Sequence, residues 1–216
     1  LEPKALSTIV SKTYDSLIRE LDAIDNGVQI AEEPQYQIVT HLSGRIGRLN
    51  PSWREPNSPE LENARFKEAM ELAGRELVDT ISEYATNWLP AYSIVRDALE
   101  TRKTVHASGE IIKLPQYCPW AEHLFDLEAE SEVHRATLTK YVLYPDSRGG
   151  WRVQAAPKVR GSFENRLPLP KVWRGLRDAE LDSVTGIPGG VFVHASGFIG
   201  GHSTEEGVLE MASKAL

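Results

Sequence analysis

The sequence predicts an α/β chain in which a helical front portion gives way to a mixed sheet near residue 104. Three observations carry that reading. Apolar residues recur every three or four positions up to about residue 102. Beyond 104, short runs rich in Val, Tyr, Thr and Trp alternate with helical stretches. The loop Pro145-Asp146-Ser147-Arg148-Gly149 separates two such runs as a hairpin connection. Short strands interleaved with short helices pack as helices on a sheet.

In order along the chain, Leu6, Ile9, Val10, Tyr14, Leu17, Ile18, Leu21 and Ile24 trace a helix over 4–25, opened by Pro3 and stopped by Asn26-Gly27. Ile38, Leu42, Ile46 and Leu49 predict a short helix that ends at Asn50-Pro51, since the residue before proline avoids the helical region. Ser58 is a capping residue and Pro59 fits a first helical position. Phe66, Met70, Ala73, Leu77, Ile81, Tyr84 and Trp88 then form one apolar stripe. Pro90 is expected to bend or break that helix, with a second piece running to about Arg102. Strands are expected at 110–114, 137–144, 150–156 and 191–194, and helices at 119–128, 178–184 and 203–215. Residues 161–175 read as irregular and 186–190 as a turn.

The chain has 216 residues, 41% of them hydrophobic and 25% charged, which excludes a disordered or fibrous protein. Its apolar runs are only a few residues long, so no membrane-spanning segment is expected. A single cysteine, Cys118, excludes an intramolecular disulfide framework and a Cys-based zinc site. The sequence opens on Leu1 with neither a charged n-region nor an apolar h-region. No targeting signal is expected in it, and it reads as trimmed or as part of a longer protein. The net charge is −7, yet residues 139–177 hold nine Lys or Arg against two acids. That block is either a solvated basic hairpin or an anion-binding surface on an acidic protein.

Three constellations carry possible chemistry. In Val191–His202 a strand runs into Gly200-Gly201-His202 and then a helix near Ser203. Free backbone N–H groups at such a junction suit a phosphate or carboxylate, with Ser196 and His202 as further donors; an ordinary strand-to-helix turn reads equally well. Asp22 and Asp25 lie three apart at a predicted helix C-terminus, where a cation would relieve their conflict with the helix dipole. As plain surface acids they need no ligand. Arg45 and Arg48, also three apart, are either a phosphate clamp or surface arginines. There is no His-Glu-x-x-His, Walker loop or Gly-x-Ser-x-Gly elbow.

Taken together, several long stretches resemble one family. They are Leu21–Gly27, Gly47-Arg48-Leu49-Asn50-Pro51-Ser52-Trp53, Cys118-Pro119-Trp120 with Glu122-His123-Leu124, Arg166–Pro170 through Trp173–Asp178, Gly186–Gly189, and His194–His202. They resemble the Myg (melanocyte-proliferating gene) family of the DHH phosphoesterase superfamily, and only its C-terminal portion. The resemblance implies a metal-dependent 3′-to-5′ RNA exonuclease of mitochondrion and nucleus. It implies that residues 1–56 are the end of a DHH-type catalytic domain, 57–103 a helical linker and 104–216 a DHH-associated substrate-binding domain. By the same resemblance Asp25 contributes to a manganese or magnesium site, with Asp22 a second candidate on spacing alone, and Gly200, Gly201 and His202 hold substrate phosphate. Arg45, Arg48, Arg174, Arg177 and Ser196 are the further candidates for that anion. In such a site two ions about 3.5–4 Å apart activate water and stabilise the leaving oxygen. The expected partners are RNA or a nucleotide phosphate, a missing N-terminal catalytic half that carries an Asp-His-His motif, and in some settings a second copy. A non-catalytic nucleotide- or RNA-binding module is the alternative function, and a purely structural protein a third.

Overall fold

The computed structural model describes residues 3–56 and 58–216. The readings placed on Leu1 and on the boundary at residue 57 therefore lie outside the described residues. The chain divides into two compact units, one ending at Leu89 and one running from Pro90 to Leu216. The stretch expected as a linker over 57–103 is thus shared between them.

The first unit is helical. α1 (Pro3–Thr13) passes through one wide π-turn (Tyr14–Ile18) into α2 (Arg19–Asp25). Residues 26–41 form no regular element until His41 caps α3 (Leu42–Gly47), its Nδ1 accepting the Gly44 N–H at 3.0 Å. The helix expected from Ile38 is therefore shorter than its apolar spacing predicts. Ser58 caps α4 (Pro59–Glu83) as expected, its Oγ accepting the Leu61 N–H at 3.2 Å. Pro90, expected to bend or break the helix, does not break it. A second π-turn (Tyr84–Trp88) precedes α5 (Leu89–Glu100), and helix continues through the proline. The wide turn takes up the missing donor and the ring that would clash in regular α-helix.

The second unit combines helices with a five-stranded mixed sheet, the α/β architecture read from the sequence. Its elements after α5 are α6 (Arg102–Val105), β1 (Ile111–Lys113), α7 (Trp120–Glu130), α8 (Glu132–Ala136), β2 (Tyr141–Pro145), β3 (Trp151–Ala155), a 3₁₀ turn (Lys171–Trp173), α9 (Asp178–Thr185), β4 (Gly190–Val193), β5 (Ile199–His202) and α10 (Glu205–Ala215). The sheet order is β1-β2-β3-β5-β4, with β1 parallel to β2 and every other pair antiparallel. β5 was not expected. Its four residues, Ile-Gly-Gly-His, read as a glycine loop because glycine is depleted in strands.

Period-two alternation divides the sheet into two faces. Ile111, Tyr141, Leu143, Val153 and Ala155 pack beneath α9 and α10 with Leu181, Val208 and Met211. Ile112, Val142 and Tyr144 join the other core, with Leu99, Trp120 and Leu124 of α5 and α7. Arg166 ties the loop after β3 to α7. It forms a bidentate pair with Glu128 (2.9 and 2.7 Å) and donates to the carbonyls of Thr139 and Pro157. Both side chains of that pair are almost wholly enclosed.

Candidate functional site

Strand alternation decides where the glycine motif points. Within β5, Gly200 and His202 face the α10 side, and Gly201 faces the opposite side. A Cβ on Gly200 would stand 3.1 Å from Leu169 Cδ1, and one on Gly201 would stand 2.5 Å from Arg152 Nη1 and 2.9 Å from the Phe192 ring. One anion cannot meet all three residues.

His202 is 2% exposed. The Thr204 N–H donates to its Nδ1 at 3.0 Å, so its Nε2 carries the proton and donates to the Pro188 carbonyl at 3.0 Å. Its ring lies flat against α10, where a Cβ on Gly207 would come within 1.9 Å of it. Both nitrogens are therefore committed to the protein, which corrects the expectation that His202 donates to a phosphate. The helix N-terminus is equally unsuited to an anion. Thr204 caps α10 through the Gly207 N–H at 3.1 Å, and Glu205 and Glu206 occupy its first turn. β5 also lies between β3 and β4, so the sheet ladder uses its backbone on both sides. Ser196 sits at the far end of the β4–β5 hairpin, exposed, with its Oγ 3.0 Å from His194 Nδ1. The pairing of Ser196 with His202 on one anion is thus corrected too.

What gathers around Gly201 is a different set of residues. The β3–β5–β4 half of the sheet presents Arg152, Gln154, Ile199 and Phe192 on the Gly201 face, all partly exposed. Arg152 lies 5.3 Å and Arg177 5.8 Å from the centre of the Phe192 ring, so one aromatic side chain carries two guanidinium groups. Arg152 Nη2 is held by Asp146 Oδ2 at 2.5 Å. Burial opposes ionisation of Asp146, but N–H bonds from Arg148 and Gly150, with Arg152 beside it, hold the carboxyl below its usual range. Arg177 is exposed and has no carboxylate partner among the described residues. The residue after it, Asp178, has φ +46, a left-handed backbone that costs about 1–2 kcal/mol outside glycine. Tyr144 donates to Gln154 Oε1 at 2.6 Å, and the exposed Tyr117 ring leans on Tyr144 at 5.3 Å.

The basic block is less free than its composition implies. Lys140, Arg152, Lys158, Arg160 and Arg166 pair with Glu110, Asp146, Glu164, Asp126 and Glu128. The side chains of Lys171, Arg174 and Arg177 remain without a carboxylate partner among the described residues, and Arg148 meets Asp146 through its backbone N–H at 2.8 Å. Arg174 spends its Nε on the Leu169 carbonyl at 2.9 Å and lies against Gly197. Of the sequence candidates, then, Arg177 and Gly201 come together. Arg152, Gln154 and Phe192 join them; sequence reasoning placed Arg152 only within the basic block of 139–177 and missed Gln154 and Phe192. The alternation Trp151-Arg152-Val153-Gln154-Ala155 was the signal that could have put Arg152 and Gln154 on one face.

The remaining candidates belong to the first unit. Asp22 and Asp25 are exposed at the end of α2, and Asp22 Oδ1 accepts from Asn26 Nδ2 at 3.2 Å. Among the described residues no group of three or more His, Cys, Asp or Glu is placed to hold a metal ion. The two aspartates do not amount to a manganese or magnesium site, which needs more ligands. Arg45 is paired with Glu76 at 2.6 Å rather than clamped with Arg48. Among the described residues no helix is long and apolar enough to cross a membrane.

A family model, MYG1_exonuc, described as an uncharacterised protein family (UPF0160), matches residues 1–216. The chain belongs to this family. It is 49% identical to the MYG1 exonuclease of Mus musculus over 218 residues, which is 100% of this chain and 56% of that protein. The MYG1 exonuclease of Homo sapiens is 48% identical over 100% of this chain and 57% of its own length. The MYG1 protein of Dictyostelium discoideum is 49% identical over 96% and 64%. The chain spans between about half and two thirds of the length of these curated relatives, and the matched part is their C-terminal portion. No solved structure matches it.

Proposed function

We propose that this chain is the C-terminal, substrate-holding part of a metal-dependent 3′-to-5′ RNA exonuclease. The observation that supports the reading best is the Arg152–Phe192–Arg177 group over Gly201. It offers two oriented cations on one aromatic ring, seated over Gly201, whose lack of a side chain leaves the room that Arg152 and Phe192 occupy; the exposed Arg177 guanidinium is the group free to meet a phosphate of a single strand. Gln154 is a hydrogen-bonding neighbour and Tyr117 an exposed ring on which a base can stack. Gly200 and His202 serve this face from behind, by fixing β5 against α10. In this reading Asp25 lends one carboxylate to a manganese or magnesium site whose other ligands come from outside this chain. Mitochondrion and nucleus are the proposed compartments.

The test is binding of a labelled single-stranded RNA to the purified chain across a salt series. The expected result is affinity that falls steeply with salt, and an Arg177→Ala variant that is weaker with a salt slope reduced by about 1. Salt-independent binding, or an unaltered variant, would end the reading. With manganese added, the chain alone should leave the RNA 3′ end untrimmed; metal-dependent trimming that survives repurification would show that its own residues complete the site.

A further inference from the structure

We propose that Gln154 determines which bases this site accepts, favouring pyrimidine over purine single strands, and that Tyr144 is its positioning residue. The inference rests on the reading that the Arg152–Phe192–Arg177 face holds a single strand, and it goes beyond that reading to the base.

Tyr144 and Gln154 meet across the β2–β3 pair. The register sets Tyr144 opposite Arg152 and Val142 opposite Gln154, so these four side chains share the Gly201 face. Tyr144 is buried, and its hydroxyl lies 2.6 Å from Gln154 Oε1, its one hydrogen-bond partner among the described residues. Burial pushes the phenol up to about 12, with Tyr117 adding to the rise and Arg152 opposing it. The group is therefore a neutral O–H at physiological pH. A guanidinium has donors and no acceptor, so the neighbouring Arg152 attracts the phenol oxygen and turns its hydrogen away. That hydrogen goes to Oε1, and the bond fixes which way the Gln154 amide is turned.

With Oε1 spent on Tyr144, the Nε2 amino group is what Gln154 has left for a ligand. Nε2 makes no hydrogen bond among the described residues and stays in reach of solvent. Val142 and Ile199 are the cross-strand neighbours of Gln154, so its two N–H donors are set between apolar side chains. A half-enclosed donor there rewards a ligand that brings an acceptor and penalises one that brings a second donor.

The bases differ at that point. Uracil and cytosine both carry the O2 acceptor, where guanine has an N–H donor and adenine only a C–H. Tyr117 is 63% exposed, with its ring 5.3 Å from that of Tyr144, and is the ring on which such a base stacks. Stacking alone favours the larger purine, and the arginines meet phosphate, which holds no sequence information. A pyrimidine preference is therefore the signature of the amide.

The test is binding of oligouridylate and oligoadenylate of equal length to the whole chain at low salt. The expected result is about fivefold tighter binding of the uridylate, the worth of one hydrogen bond. Gln154→Glu puts an acceptor where the donors were. Both strands should then bind more weakly, and the preference should invert as the adenine amino group finds a partner. Tyr144→Phe lets the amide turn over, and should bring the ratio to about one while the salt slope set by Arg177 stays that of the parent. Self-stacking of the adenylate is the same for every variant and cancels in these ratios. If Tyr144→Phe fails to fold, Gln154→Glu, at a half-exposed position, decides alone. Equal binding of the two strands by the parent, or a ratio that Gln154→Glu leaves unchanged, would overturn the proposal, and salt-sensitive, Arg177-dependent binding in the same experiment would leave the nuclease reading standing. Binding of neither strand would retire both.

Discussion

Leu124 and Phe66 both sit on helices whose apolar residues repeat at helical spacing, yet Leu124 is 0% exposed and Phe66 is 64% exposed. The contrast holds across the two units. From Pro90 onward, two clusters of enclosed side chains fill both faces of one sheet. Before it, Ile9, Leu42 and Trp88 are the enclosed large apolar residues among those described. Periodicity therefore reports which side of a helix is apolar, and a second element must be present before that side becomes a core.

The largest expected effect lies in the second unit. Glu128→Ala leaves the Arg166 guanidinium enclosed without its carboxylate, and should cost about 3–5 kcal/mol in urea unfolding. A loss under about 1 kcal/mol would mean that water reaches the pair and that the comparison overstates how dry this unit is. Next, Leu124→Ala should cost about 2–5 kcal/mol, the usual range for emptying a packed site.

A smaller effect concerns acid. Asp182 accepts N–H bonds from Gly189 (3.0 Å) and Gly190 (2.8 Å), and these hold its carboxyl below the usual range. Its folded value is the lower one, so its contribution is present at neutral pH and is lost as pH falls through that depressed range. Asp182→Asn should flatten the acid limb of the stability curve and change little of its shape at neutral pH; an unaltered acid limb would remove Asp182 from the account. The smallest change belongs to the first unit. Phe66→Ala and Met70→Ala in this chain should stay within about 0.5 kcal/mol of the parent. A loss of 2 kcal/mol or more at either would erase the contrast with Leu124.

The architecture was legible in the sequence where local signals and burial agreed. The 141–155 hairpin and the capped helix at Ser58 are examples, since each rests on turn or cap chemistry that acts within a few residues. Pro90 misled because a π-turn, formed by ordinary residues, absorbs a proline without leaving any mark in composition. The glycine motif misled more deeply. Read as a loop, Gly200, Gly201 and His202 are neighbours; built as a strand, they alternate, and the residue with the most suggestive chemistry turns inward. Arg152, one of the basic block, was not joined to Phe192 because they are forty residues apart in sequence, and the β3–β5–β4 pairing is what brings them together.

That pairing also bears on how the chain is made. β4 leaves the ribosome just ahead of β5, yet β4 reaches β3 only through β5, which is the last strand made. The β2–β3 hairpin is local and can close early, while the far side of the sheet must wait for β5 to leave the exit tunnel. A stop just before Ile199 would leave β4 joined only to the short 175–177 segment and cut off from the rest of the sheet, and would leave the enclosed side chains beneath α10 uncovered. Such a product should be cleared by proteolysis rather than accumulate as a partly working fragment, even though it keeps every element before β5.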